Sequence, residues 1–332
     1  MNTINDLIAT LTVASPARHR GLSVYPLKSG RARTTTAYLV LDEALATNQF
    51  RITEVSEYGS VPQLLAINDT SSPVFLLDGE ELVGAKQNRV LNLSVMLAPN
   101  SKTEIPVSCV EAGRWRPESD AFRAAERVQF ARGRAQKMEQ VSQALHSTGK
   151  ASSDQAAVWN AISMKSRRMH VESPTGAMAA LFEDHRDDLQ GYLDGIPMSD
   201  SQVGAVYAFG DSLIGIEVFD SDATFKKLAG KLLASYALDA IELNRNGEPP
   251  APSAVSAFID PLRVAKRQRS APVGMGETVR LSDKDLVGAA LEVAGGIVHL
   301  AAFRRQTFED QHHERGLGRA RILSSRGRAR AR

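Results

Sequence analysis

The chain has 332 residues, 43% hydrophobic and 23% charged, the composition of a soluble globular protein with room for a sizeable core. No apolar run approaches the roughly 18 residues of a membrane span, and MNTINDLIATLTV lacks the basic and apolar regions of a secretion signal. A single cysteine excludes an internal disulfide and a multi-cysteine zinc site, so a cytoplasmic location is expected.

The net charge of +2 hides an asymmetry. Residues 315–332 carry seven arginines and no acid, and removing those seven charges leaves −5 for the rest. The globular part therefore has no general footprint for nucleic acid. The Arg-rich tail, 306–332, is expected to be disordered and to meet nucleic acid only non-specifically, through counterion release.

Residues 1–20 predict a short amphipathic helix and a linker ending at Ser15-Pro16. From Gly21 the texture is that of strands. LSVYPL, TAYLVL, FRITEV, QLLAIN, PVFLLD, RVLNLSVML and TEIPVSCV are short apolar runs broken by Gly, Pro, Asn, Asp or Ser, with DEALAT a short helix opened by Asp42. In RVLNLSVML, Leu91, Leu93, Val95 and Leu97 share one face and Asn92 and Ser94 the other, as in a sheet with one buried face.

After Pro117, residues 119–149 predict one long helix, capped by Ser119 or Asp120 and closed near Gly149. Residues 152–170 predict a second, which Ser152, Ser153 or Asp154 can cap. Residues 173–195 predict a third, with Pro174 early and Gly195 as a stop. VGAVYAFG and SLIGIEVFD predict a hairpin around Gly210-Asp211. DATFKKLAGKLLASYALDAIEL then predicts an amphipathic helix, PSAVSAFIDPLRVA a shorter one, and three strands follow. The order predicts an α+β fold with an N-terminal, mainly antiparallel β region, central helices and a C-terminal mixed β/α segment. As domains, a helix and linker (1–20) precede a single integrated unit (21–305), β-rich over 21–115, helical over 119–195 and mixed over 202–304.

Chemistry concentrates in two pieces, DGEELVGAKQNRVLN (78–92) and IPVSCVEAGRW (105–115). Asp78, Glu80, Glu81 and Glu111 could provide an acid–base pair or ligate a hard cation such as magnesium. On an extended chain Glu80 and Glu81 point to opposite faces, so at most one of them enters a given pocket. Lys86, Gln87, Asn88 and Arg89 suit an anionic or polyhydroxylated ligand. Gln87 and Arg89 share parity with Leu91 and Leu93, which points them toward the interior or a pocket. Arg114 and Trp115 could add phosphate contact and ring stacking, although Trp115 serves equally as a core or lid residue.

Cys109 shares a face with Glu111, and such a carboxylate would raise rather than lower the thiol pKa. It is a candidate nucleophile, with a small buried hydrophobe as the plainer alternative. Ser153, Asp154, Gln155 and Trp159 stand at a helix start, a natural anion site, although capping explains Ser153 and Asp154 without a ligand. His299 alternates with apolar neighbours as a core or pocket-edge histidine. No phosphate-loop, dinucleotide, HExxH or GxSxG pattern occurs, and no metal ligands are assigned.

LLDGEELVGAKQNRVLN, IPVSCVEAGRW and SDQAAVWNAI resemble the ARG and rhodanese-phosphatase-superfamily-associated protein domain family. So do FGDSLIGIEVFDSDATFKKLAGKLLASYALDA and GIVHLAAF, and the likeness spans Gly21 to Arg304. The family name records association with ADP-ribosylglycohydrolases and rhodanese-type phosphatases. The resemblance implies a place in NAD and ADP-ribose metabolism, and ADP-ribosylation-system proteins as partners. By motif it places Glu80, Glu81, Lys86, Gln87, Asn88, Ser108, Cys109, Glu111, Trp115, Asp154, Gln155 and Trp159 at the site. The expected function is an enzyme acting on an ADP-ribose-type or related nucleotide, hydrolytic through Glu80 or Glu111. The alternative is a non-catalytic nucleotide-binding module or a structural partner in an operon-encoded complex.

Overall fold

The computed structural model describes residues 3–30, 37–56 and 62–305, so the Arg-rich segment 306–332 lies outside the described residues. Helix α1 (Thr3–Thr10) leads into β1 (Leu11–Val13), β2 (Ala17–His19) and β3 (Leu22–Ser29), which gives the expected linker two short strands. Next come β4 (Leu39–Val40), α2 (Leu41–Ala46), β5 (Phe50–Glu54), β6 (Gln63–Asn68) and β7 (Val74–Leu76). They are followed by β8 (Glu80–Gly84), β9 (Arg89–Leu91), β10 (Val95–Leu97), β11 (Ser101–Cys109) and β12 (Phe122–Val128).

The central helices are α3 (Ala131–Thr148), α4 (Gln155–Met169), α5 (Ala179–Asp184) and α6 (Arg186–Gly195). The hairpin of β13 (Gln202–Phe209) and β14 (Ser212–Phe219) precedes α7 (Asp222–Leu243), α8 (Pro252–Ile259) and a 3-10 turn at Asp260–Arg263. Strands β15 (Lys266–Ser270), β16 (Glu277–Ser282), β17 (Leu286–Val293) and β18 (Gly296–Arg304) complete a mixed α+β fold.

Six strands close into a barrel in the order β11-β6-β5-β12-β8-β9. Its inside is filled by Ile52, Leu64, Ala66, Leu82, Leu91, Ile105, Val107 and Phe122, as expected for so small a barrel. A nine-stranded sheet runs β1-β3-β13-β14-β18-β17-β16-β15 with β2 on β3, so N-terminal and C-terminal strands share one sheet. A three-stranded sheet, β10-β7-β4, contains the parallel pair β4–β7.

The parity read in 89–97 holds, because Leu91, Leu93, Val95 and Leu97 join one core cluster and Val90 and Met96 the other. The polar face is buried too: Asn92 donates to the Ala151 carbonyl and Ser94 bonds His299.

The predicted helix over 119–149 divides into a seven-residue strand, β12, and an eighteen-residue helix, α3. In β12 the buried residues are Phe122, Ala125 and Val128, a period-three pattern that mimics a helix stripe. A bulge between Ala124 and Val128, where β12 pairs with β8, produces it. The helix starts at Ala131, with no side-chain cap from its own N-cap residue, Phe130. Instead Asp239 of α7 accepts from the Arg132 backbone N–H at 2.8 Å, so a carboxylate remote in sequence satisfies one of the free amides of the helix start. Gly149 closes α3 in the left-handed conformation and Asp154 caps α4, accepting from the Ala157 N–H at 3.1 Å. The stretch 173–195 breaks into α5 and α6, and Pro174 precedes both.

Candidate functional site at one rim of the barrel

All six barrel strands meet at one rim, where β5, β8 and β11 end and β6, β9 and β12 begin. The β8–β9 connection there turns through Gly84, at φ +126°, and Ala85, at φ +40°. A Cβ on Gly84 would meet Ser119 Oγ at 2.5 Å, so glycine is required for space as well as conformation.

Arg114 braces this turn from below. Its Nη1 donates to the Ala85 carbonyl at 2.7 Å, Nη2 to Asn88 Oδ1 at 2.9 Å, and Nε to Glu111 Oε2 at 2.8 Å. Glu111 also accepts from the Asn88 N–H at 3.3 Å and, on Oε1, from Thr175 Oγ1 at 2.8 Å. Glu111, Arg114 and Asn88 are all buried and each satisfies the others. They form a brace.

The inward face of the rim is different. In the strand register Arg89 lies opposite Leu82 and Cys109, and Glu54 opposite Leu64, so Arg89, Cys109 and Glu54 face the barrel interior. Arg89 is fully buried. Its Nη1 donates to Gln87 Oε1 at 2.9 Å and its Nη2 lies 3.9 Å from Glu54 Oε1. Its Nε and Nη2 have no hydrogen-bond partner among the described residues, and neither does Glu54 Oε2. Trp115, 49% exposed, covers the group, with the Arg89 guanidinium and the Lys86 ammonium each 5.6 Å from its ring centroid. Burial pushes the Cys109 thiol up to about 11, against the opposing pull of Arg89, so it is a neutral thiol at physiological pH.

Ser108 points the other way. Its Oγ lies 2.5 Å from both Asn92 Oδ1 and Ser153 Oγ. Gln155 pairs with the Cys109 backbone like an added strand, each bond 2.8 Å, and so ties α4 to the end of β11. Asp154 is spent as the α4 cap, and its own N–H donates to Gln140 Oε1 at 3.0 Å. Trp159 is half-buried on α4 with its indole Nε1 unpartnered among the described residues. The Ser153–Trp159 constellation thus backs onto β11 from outside the barrel.

The remaining carboxylates go to separate cations. Glu80 Oε1 accepts from Lys231 Nζ of α7 at 3.0 Å and Oε2 from the Leu77 N–H at 2.9 Å. Burial holds its pKa above the usual range despite Lys231. Glu81 pairs with Arg127 through Oε2 while Oε1 makes no hydrogen bond among the described residues, and burial again raises its pKa. For Asp78 burial opposes the charge, but Lys137 at 2.9 Å and Arg134 at 3.6 Å outweigh it and hold the pKa low. Glu80 and Glu111 are therefore tied to different cations. No group of three His, Cys, Asp or Glu side chains that could hold a metal ion occurs among the described residues.

His299 is satisfied on both ring nitrogens, 2.9 Å from Ser94 Oγ and 2.9 Å from Glu217 Oε2. The set has the composition of a hydrolytic triad, but the void beside it is about 10 Å³, room for a single water at most. It is a core network. The residue that sequence reasoning missed at the rim is Glu54, and its alternation with Phe50 and Ile52 was the available signal.

Among the described residues no helix is long and apolar enough to cross a membrane. Searches of curated proteins and of solved structures return no match. One family does match, over residues 10–303, and the chain belongs to it: the ARG and Rhodanese-Phosphatase-superfamily-associated Protein domain family, ARPP-1.

Proposed function

We propose that the barrel rim binds an ADP-ribose-type or related nucleotide, and that the chain recognises this ligand rather than hydrolysing it through Glu80 and Glu111. The observation that carries the reading is Arg89, a fully buried guanidinium beneath an exposed tryptophan, whose Nε and Nη2 make no hydrogen bond among the described residues and whose Nη2 has only a long 3.9 Å ion pair with Glu54. A buried donor left unpaired costs about 1–3 kcal/mol, which a phosphate or ribose oxygen would recover. Trp115 would stack on the base, Lys86 would contact phosphate, and Gln87 would orient Arg89. Asn88, Glu111 and Arg114 would hold the turn, and Ser108, Asp154 and Gln155 would hold α4 against β11. Association of the family with ARG proteins, as its description records, supports this ligand class and ADP-ribosylation-system partners.

Hydrolysis has one specific support, Glu54 Oε2, a buried and unpartnered carboxylate oxygen facing the same space as Arg89 and Cys109. In that reading Glu54, not Glu80 or Glu111, is the acid–base, and Glu54→Gln abolishes product formation without loss of binding.

A thermal-shift screen with ADP-ribose, NAD, AMP and ribose phosphates, with and without magnesium, tests the proposal. A ligand at 100 times its dissociation constant stabilises by about 2.7 kcal/mol. The shift is expected with at least one of them and is lost in Arg89→Met; no shift with any overturns the nucleotide reading.

A further inference from the structure

A second region carries ligand-binding features that the rim does not use. A cleft of about 640 Å³ opens between α3, α4, α7 and the ends of β17 and β18, and this volume suits a small organic molecule. Five arginines line it (Arg132, Arg167, Arg168, Arg304 and Arg305) against three acids, Glu139, Asp239 and Glu242.

The acids are already engaged. Glu242 pairs with Arg168 and with Lys165 Nζ at 2.5 Å. Asp239 takes Lys165 Nζ at 2.6 Å and caps α3 through the Arg132 N–H. Glu139 pairs with Arg305. Arg132 sits beside Asp239 and Glu242, and burial holds it below the usual arginine range. No ion pair or hydrogen bond of the Arg167 or Arg304 side chain occurs among the described residues, so two guanidiniums on one cleft stand without a counter-charge. The lining also has an apolar part, Phe130, Ala135, Ala161, Met164 and Val287, beside the amides Gln136, Gln140, Gln143 and Asn160. Met164, 41% exposed, offers an accessible apolar contact on this lining.

We propose that this cleft is a second binding site, for an organic phosphate: a dianion held between Arg167 and Arg304, attached to a planar or apolar body that covers Met164. Two guanidiniums match a phosphate dianion better than a single carboxylate, because each can bond two of its oxygens. The apolar lining distinguishes such a molecule from inorganic phosphate, which gains nothing from it. Lys165, Asp239 and Glu242 are positioning residues that hold α4 to α7 and leave Arg167 free.

Phenyl phosphate and inorganic phosphate are the probes, titrated into the full chain by calorimetry and by nuclear magnetic resonance shifts. Phenyl phosphate is expected to bind saturably, and inorganic phosphate at least about tenfold more weakly, the difference of one modest apolar contact. Both Arg167→Glu with Arg304→Glu and, separately, Met164→Glu are expected to weaken phenyl phosphate by more than about tenfold. All three residues are exposed, so the variants keep the wild-type melt. The resonances shifted by phenyl phosphate are expected on α3, α4 and the end of β18, which separates this site from the rim. No saturable binding, equal affinity for the two probes, retention in the charge-reversed variant, or shifts confined to the rim would each overturn the assignment.

Discussion

Arg114 and Arg89 are two buried arginines that serve the same β8–β9 turn, yet they stand in opposite circumstances. Each guanidinium nitrogen of Arg114 meets a carbonyl or carboxyl oxygen within 2.9 Å. Arg89 donates to Gln87, while its Nε and Nη2 make no hydrogen bond among the described residues and Nη2 keeps only a 3.9 Å ion pair with Glu54, under a half-exposed tryptophan. A density of polar residues in a sequence does not separate framework from site. Satisfaction of their hydrogen bonds does.

The comparison breaks most visibly at the brace. Arg114→Ala leaves Glu111 as an unpaired buried charge, and a loss of about 3–5 kcal/mol is expected in a urea melt. A loss below about 1 kcal/mol would remove Arg114 from the framework. Gln155→Leu comes next, because it strips the Cys109 backbone N–H and carbonyl of their partners. It should cost about 2–3 kcal/mol and leave ligand affinity untouched. Trp115→Ala, on an exposed ring, should leave the melt unchanged and weaken ADP-ribose about tenfold, close to 1.4 kcal/mol.

The smallest effect concerns Cys109. Its thiol is raised in the fold to about 11 from an ordinary 9.0. The native state therefore holds its proton where the unfolded chain has lost it. This contribution is fully present below about pH 9 and declines as pH rises toward 11. Thiol labelling at pH 8 should proceed only through unfolding; prompt labelling of the native chain would show an accessible, activated thiol instead.

Much of this was legible in the sequence, and the failures have physical causes. The 210–211 hairpin, the face shared by Leu91, Leu93, Val95 and Leu97, and a cap within Ser152–Asp154, which falls to Asp154, all follow from local rules. Strand β12 did not, because its bulge gives it a helix-like burial period. The true start of α3 was hidden because Asp239, which accepts from its first turn, lies on another helix. Strand β15, KRQRS, is an edge strand with no apolar signal. At the rim, residues 84–89 and 109–115 join because β9 pairs with β11, a strand order that the sequence left open. Glu54 was not legible, because it arrives from β5, across the barrel. Gln155 looked like a ligand contact, whereas its amide completes the Cys109 backbone.

The central claim rests on Arg89, and calorimetric titration of ADP-ribose into wild type and Arg89→Met, with urea melts alongside, tests it most directly. Methionine fills a similar volume but leaves Glu54, 3.9 Å from Nη2, without its cation, so a stability loss smaller than that of Arg114→Ala is expected, while affinity falls at least about a hundredfold. Unchanged affinity, or a collapse in stability like that expected for Arg114→Ala, would make Arg89 a second brace and leave the rim without a ligand.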